Sequence, residues 1–587
     1  MKRIILAAAV ALSAVSPASA QTGGGASAAL TQLFNDERAF VYREDPLSAT
    51  SEGIHDYDDH LASVTPAAQA RQTAENRAFL TRLHAIDRTA LSQQEQVSYD
   101  LFDFMITQRV TFARYNDWRL PINSDSGFYS EILQIHDTVS PRTVRDYENY
   151  IARLRDVPRY FREQMANMRQ GVRDGFTLPS QVIEGVSSVI DGLHWDNVEA
   201  TPFWTPFANF PETVPQADRA RLAAAGRAAI SEAVQPAFAE FRAYFANEYR
   251  PHARRTIAAQ ALPNGRAYYA DLVRYFTTLP DATPQQIHRT GLAEVARIRA
   301  EMETVMQEAG FQGSFSEFLT FLRTDPQFYP KTSEELLGRA ALITREIDGH
   351  LPEFFGRLPR TPYTVEPVPA AFAPNYTAGR YNPGPFGAAG TYWVNTYALN
   401  TRALYQLPAL TAHEAAPGHH IQGALARELT GLPRFRLNFY PHAFGEGWGL
   451  YSERLAGEMG IYQTPYERFG QLSYEMWRAC RLVVDTGMHS MGWTRQQSLD
   501  YLAANTALST HEIRTEVDRY ISWPGQALAY KTGELKIFEL RHRAEAALGD
   551  RFDIRAFHDA VLANGGVTLP VLERQIDAYI AAAQAQR

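Results

Sequence analysis

His413-Glu414-Ala415-Ala416-Pro417-Gly418-His419-His420 sets a His-Glu pair a few residues before two more histidines, and Gly445-Glu446-Gly447-Trp448-Gly449-Leu450-Tyr451-Ser452-Glu453 follows downstream. These are the residue types of a catalytic zinc site. Neutral imidazoles and a carboxylate hold the metal, one position stays open for water, and an unligated carboxylate takes that water's proton. Neighbouring side chains on a helix diverge by roughly 100°, so His413 can face a metal while Glu414 passes beside it toward the open position. In an HExxH peptidase the second histidine would stand where this chain has Pro417. A regular helix therefore cannot supply the second ligand. Pro417 removes a backbone donor and, with Gly418, should bulge or kink the helix and bring a later histidine round to the His413 face. His419 suits such a bulge better than His420, which would stand roughly 10 Å along an unbroken axis. Glu446 and Glu453 share a helical face, so one of them reaches the metal. The shorter connection from His419 favours Glu446, with Glu453 behind the ligands or as the alternative ligand.

The two motifs, HExxPGHH and EGWxxYxE over about residues 380 to 545, resemble a bacterial family catalogued as of unknown function and predicted to be zinc peptidases. That family is in turn similar to the helical gluzincins, among them angiotensin-converting enzyme, thimet oligopeptidase and the carboxypeptidase Taq group. In those enzymes Gly-His closes the HExxH motif and a downstream glutamate completes the ligands, which supports His419 and Glu446. The resemblance implies a mainly α fold, two helical lobes flanking a deep active-site channel with a small β-sheet near the zinc. Such a channel admits extended or unfolded peptides. The segment Arg519-Tyr520-Ile521-Ser522-Trp523-Pro524-Gly525-Gln526-Ala527-Leu528-Ala529-Tyr530-Lys531-Thr532-Gly533 resembles the gluzincins' Tyr- and Gly-containing helix. The resemblance implies that the Tyr530 phenol donates to the oxyanion, with Tyr520 as second candidate.

Other candidates come from local pattern. Phe469, Leu472, Met476, Cys480 and Val483 recur at helical spacing over Tyr466 to Met488. That helix would deliver His489 as a transition-state or substrate-binding group, with Asp485 one turn earlier to orient it. Gly390 to Thr396 reads as a strand after a Pro- and Gly-rich loop, and as an edge strand it could pair with a peptide. Arg519, Lys531 and Arg541 are candidates for a substrate's terminal carboxylate. His511-Glu512 lacks a second histidine and reads as a surface pair.

Long helical patterns fill Ala217 to Tyr249, Gln285 to Ala309 and Ser333 to Leu358, while strand-like sequence clusters at Tyr363 to Val368 and Gly390 to Thr396. Strands just ahead of the His413 motif fit a small sheet embedded in a helical body. Residues 21–360 are expected to form an N-terminal helical lobe and 361–587 the catalytic region. Met1-Lys2-Arg3, the apolar run Ile4 to Val15 and Ala18-Ser19-Ala20 read as a signal peptide over residues 1–20. No cysteine follows that site and no later run approaches the ~20 apolar residues that span a bilayer. A periplasmic or secreted protein without a membrane anchor is expected. The sole cysteine, Cys480, excludes a disulfide framework. A net charge of −8, with 57 basic and 65 acidic side chains intermixed, offers no basic stripe for nucleic acid.

The expectation is an exported zinc (Zn2+) metallopeptidase acting on short or unfolded peptides. His413, His419 and Glu446 hold the metal, Glu414 is the general base, and Tyr530 with His489 stabilises the oxyanion. The alternatives are an amidase or esterase using the same ligands, or a catalytically inactive peptide-binding protein in which Pro417 has distorted the motif.

Overall fold

Side-chain caps set the starts of the long helices. Thr464 and Glu467 form a capping box at the head of Pro465–Ser490, and Thr283 and Gln286 do the same for Pro284–Glu308. Each box satisfies two N–H groups that a helix terminus leaves unpaired, and proline in the first turn loses no hydrogen bond there. The computed structural model describes residues 18–585 apart from 125, 371–372 and 385–386. The fold is mainly α, running from Ala18–Glu44 to Leu569–Ala585, with a small three-stranded sheet. The expected leader falls for the most part on residues 1–17, outside the described residues. No described helix is long and apolar enough to cross a membrane.

The three expected helices form, as Gln216–Tyr249, Pro284–Glu308 and Ser333–Phe354. The first is interrupted by π turns at Ile230–Val234 and Phe245–Tyr249. The sheet holds β1 (Tyr363–Pro367), β2 (Gly379–Asn382) and β3 (Gly390–Val394) in the order β1-β3-β2. β3 pairs parallel with β1 and antiparallel with β2. The expectation of an edge at Gly390 to Thr396 is therefore corrected: β3 is the central strand. Its alternate residues Tyr392 and Val394 are buried, and both of its backbone edges are occupied. The sheet's edge toward the His413 helix is β2.

Two large apolar cores hold the chain together. One joins residues 61–328 to 403–527, and the other joins 30–106 and 347–355 to 412–461 and 537–580. Each core draws on both sides of residue 360, so the boundary expected there does not divide the packing. Pro465–Ser490 is buried almost all round, and Phe469, Leu472, Met476, Cys480 and Val483 lie in the first core as their spacing anticipates.

The helix carrying Glu446, His442–Glu458, packs backbone to backbone against Ala529–Leu548. A Cβ on Gly533 would stand 1.7 Å from the carbonyl oxygen of Ala443, and one on Gly447 would stand 2.5 Å from Gly533 Cα. Only hydrogen fits at that crossing. Gly533→Ala should therefore cost about 1–3 kcal/mol and lower the thermal midpoint; an unchanged midpoint would mean that the two helices do not approach this closely.

Candidate metal centre

Helix Leu407–Glu414 ends at the motif's own glutamate, and Ala415 leaves helical geometry with φ −93° and ψ −125°. A new helix begins at His419. The chain is thus broken over Ala415 to Gly418 rather than kinked. The break is held from outside: Gly418 N donates to Ala412 O at 3.0 Å, and the buried Trp448 donates its indole N–H to Pro417 O at 2.9 Å. At Gly418 a Cβ would lie 1.9 Å from His413 O, so no side chain fits.

This break brings His413, His419 and Glu446 together, with one donor atom from each inside a sphere of mutual distances below 4.8 Å. Glu446 Oε2 lies 3.7 Å from His413 Nε2 and 3.6 Å from His419 Nε2. Metal–ligand bonds of about 2.0–2.1 Å at tetrahedral angles place donors roughly 3.3 Å apart, close to the spacing found. His413 Nδ1 lies 2.8 Å from Glu453 Oε1. A carboxylate accepts, so Nδ1 donates to Glu453 and Nε2 is the ring nitrogen on the Glu446 side. Glu453 thus stands behind His413 and not among the donors. His420 also turns away: its Nδ1 meets the Tyr381 hydroxyl at 3.0 Å and its ring packs on Tyr363.

Burial opposes charge on His413, but Glu446, Glu453 and Glu414 outweigh it and hold its pKa up at about 10. Burial likewise opposes charge on Glu446, and the two imidazoles outweigh it and keep that carboxyl well below the usual range. The donor set, two imidazoles and a carboxylate in a pocket that favours positive charge, fits a zinc-type divalent cation.

Glu414 lies beside this cluster and is held by the sheet. Tyr381 N donates to Glu414 Oε2 at 2.9 Å, so the edge strand β2 and the carboxylate form one wall. Tyr530, 7% exposed, packs against Leu450, one turn beyond Glu446, with the Arg481 guanidinium 4.2 Å from its ring centre. Its hydroxyl has no hydrogen-bond partner among the described residues. Tyr520 is spent differently: its hydroxyl accepts from Trp477 Nε1 and Arg481 Nε and donates to Glu516.

His489 is a correction. Its ring is fully buried, Nδ1 accepts from Ala259 N at 3.0 Å, and Nε2 donates to Tyr520 O at 2.9 Å. Both nitrogens serve the backbone, so the side chain has no proton to offer a substrate. Asp485 does not touch it and takes the Tyr269 hydroxyl and the Gly525 N–H instead. The cations considered for a terminal carboxylate are also committed. Lys531 is buried among Glu294, Glu475 and Glu534, Arg541 pairs with Glu458 and Glu545, and Arg519 is tied to Gln526 and Glu516. Glu512 caps its own helix with Ser509.

Two residues of the site were missed in the sequence. Tyr440 donates to Glu446 Oε1 at 3.3 Å. It is 46% exposed, yet burial pushes its hydroxyl well above the usual range, as for a side chain facing a cleft with close walls. Gly449 lets the His413 ring lie on the Glu446 helix, where a Cβ would come within 2.7 Å of it. Its signal was a small residue one turn from Glu446 on the same face.

A family of bacterial proteins of unknown function, DUF885, matches residues 46–576. The chain belongs to this family. It is similar to the crystal structure of a protein from Colwellia psychrerythraea provisionally described as a lipoprotein, at 28% identity over 95% of this chain and 100% of that one, with a TM-score of 0.86. A protein from Shewanella oneidensis, also provisionally a lipoprotein and of unknown function, shares the fold at 18% identity over 93% and 99% of the two chains, with a TM-score of 0.73. No curated protein matches this DUF885 chain.

Burial holds the pKa of His489 down at about 3, and that of His558 likewise. The unfolded chain takes up protons at these histidines below its ordinary value of about 6.5, whereas the folded chain does not. Stability should therefore fall as pH drops from about 6.5 toward 3, by up to about 1.4 kcal/mol per pH unit for each histidine. Denaturation midpoints between pH 7 and 4 should fall less steeply in His489→Asn than in wild type, and equal slopes would show that His489 is not buried neutral.

Proposed function

We propose that this DUF885 protein is a zinc-dependent metallopeptidase, exported to the periplasm or beyond, that hydrolyses peptide bonds in short or unfolded peptides. The observation that carries the reading is the convergence of His413, His419 and Glu446 with Glu414 standing free of them on the adjoining wall. The same ligands would serve an amidase or esterase, but the sheet edge beside Glu414 favours a peptide, whose backbone can add to a strand.

Zinc held by the three donors would polarise the attacked carbonyl and acidify water in the cleft. Everything else falls to the chain's own side chains. Glu453 orients His413 from behind, and Tyr440 does the same for Glu446 through Oε1. β2 aligns the peptide along its edge, next to the Glu414 carboxylate that Tyr381 N holds. Glu414 takes a proton from the attacking water and returns it to the leaving amine. The Tyr530 hydroxyl, unengaged among the described residues, donates to the carbonyl oxygen as negative charge grows there. The gluzincin resemblance assigns the same roles to Glu414 and Tyr530.

Glu414→Gln should lower cleavage of a mixed oligopeptide library, read by mass spectrometry, at least about 10²-fold, with zinc content by elemental analysis unchanged. Undiminished cleavage would remove Glu414 from the chemistry. Tyr530→Phe should reduce kcat about 10²-fold and also keep its zinc; an unaltered kcat would leave the hydroxyl without a role. Glu453→Ala should weaken zinc binding about 10- to 100-fold in chelator competition, a readout independent of turnover, and full affinity would refute its placement behind His413.

A further inference from the structure

Among the described residues, Arg380 is the one lysine or arginine of the three-stranded sheet, and it lies on the edge strand β2. It directly precedes Tyr381, whose N–H points off that edge to Glu414 Oε2 at 2.9 Å. Side chains alternate across a strand, so Tyr381 turns its ring to His420 while Arg380 stands on the opposite face, beside its cross-strand partner Trp393. There it is exposed to solvent. The anion of the same cross-strand row, Glu366 on β1, lies two strands away beyond Trp393, about 9.5 Å off, and accepts from the Thr364 hydroxyl.

Two rings steady the guanidinium. Its carbon stands 5.3 Å from the centre of the Tyr376 ring, and Tyr376 packs edge-on against Trp393 at 6.2 Å. Burial raises the Tyr376 phenol above the usual range, while Arg380 lowers it and Glu414 raises it. The arginine and the Glu414 carboxylate therefore both lie within electrostatic reach of one hydroxyl. Among the described residues no carboxylate pairs with Arg380, whereas Arg519, Lys531 and Arg541 are each tied to acids inside the fold. A guanidinium laid against a ring keeps its planar fork of donors free, the geometry that takes a carboxylate through two parallel bonds. Its place along the edge sets which end of a peptide it meets. β2 runs from Gly379 to Asn382, so a peptide adding antiparallel with its scissile bond at Glu414 carries its C-terminal side past Tyr381 toward Arg380, one strand step of about 3.4 Å further on. Parallel addition would bring the amino terminus there, against a like charge.

We propose that Arg380, steadied by Tyr376, binds the terminal carboxylate of the substrate, so that the enzyme trims a residue or two from the C-terminal end of a peptide. The inference rests on the peptidase reading for the reaction and on the β2 edge for the carboxylate.

The test is calorimetric binding of an alanine-rich hexapeptide, as free acid and as carboxamide, to zinc-loaded full-length Glu414→Gln protein. The free acid should bind about ten-fold tighter than the amide, a difference of about 1.4 kcal/mol. Adding Arg380→Gln should bring the ratio close to one, and adding Arg380→Lys, which keeps the charge without the fork, should leave a ratio in between. Equal binding of acid and amide, no binding of either, or a ratio that Arg380→Gln leaves unchanged overturns the proposal; the last would mean that the metal or another group takes the carboxylate. A carboxamide ending in glutamate that binds as tightly as the free acid overturns it as well, because a side-chain carboxylate would then serve. The parent measurement leaves the exposed Arg380 in place, so misfolding of the variant cannot decide it. Wild-type cleavage of the same peptides, with products read by mass spectrometry, reports on the peptidase reading separately. An acid preference in binding without cleavage keeps the anchor and sinks the peptidase, and equal cleavage of acid and amide does the reverse. A fall in cleavage of both forms alike in Arg380→Gln would place the arginine on Glu414 and likewise overturn the proposal.

Discussion

The buried hydrogen bond between His413 and Glu453 joins the two halves of the candidate metal centre. It ties the helix ending at Glu414 to the helix running from His442, and it does so where both groups are almost inaccessible to water. A buried carboxylate needs a partner, and Glu453 finds one in the imidazole, with Arg478 3.5 Å from the same oxygen. Once that register is set, Glu446, two turns earlier on the same face, has to stand over the opposite side of the His413 ring. The same register presses the ring onto Gly449 and passes the Trp448 indole to Pro417 O. Ligand, supporting carboxylate and the brace on the broken helix therefore all follow from one contact between two helices.

Beneath this arrangement lies a second polar layer that sequence patterning hides. Helix Pro465–Ser490 reads as an apolar stripe, yet its other faces are buried too, and they carry Glu475, Arg478, Arg481 and Asp485. Glu475 meets Lys531, Arg297 and Arg454 inside the protein, while Lys531 also meets Glu294 and Glu534. Buried ions of this kind persist because each is paired, and removing one partner leaves an uncompensated charge. Lys531 follows Tyr530 directly, so this ionic layer anchors the turn that presents the proposed oxyanion donor. That is why a lysine which looks like a substrate anchor in the sequence is an internal one in the fold.

Local signals were legible where the physics is local. Apolar spacing located the long helices to within a few residues, and β-prone sequence ahead of His413 located two strands of the sheet. The HExxPGHH segment announced a helix that bulges or kinks, because proline lacks the donor and clashes with the preceding turn. Strand order was not legible: Tyr392 and Val394 alternate in the same way in a central and an edge strand, and only pairing with β1 and β2 distinguishes the two. His489 misled for a related reason. A histidine four residues after an aspartate looks like an oriented pair, but its partners are the backbones of Ala259 and Tyr520, both remote in sequence.

By itself, then, the sequence determined the helical class and the residue types of the candidate metal centre, and it favoured His419 and Glu446 over His420 and Glu453 as the groups that converge with His413. These depend on helical periodicity and on the conformational limits of proline and glycine, which act within a few residues. The tertiary structure alone decided that the helix breaks completely, that β2 rather than β3 borders Glu414, and that both cores cross residue 360. Each of these turns on contacts between segments dozens to hundreds of residues apart, where burial and pairing, not local preference, set the energy.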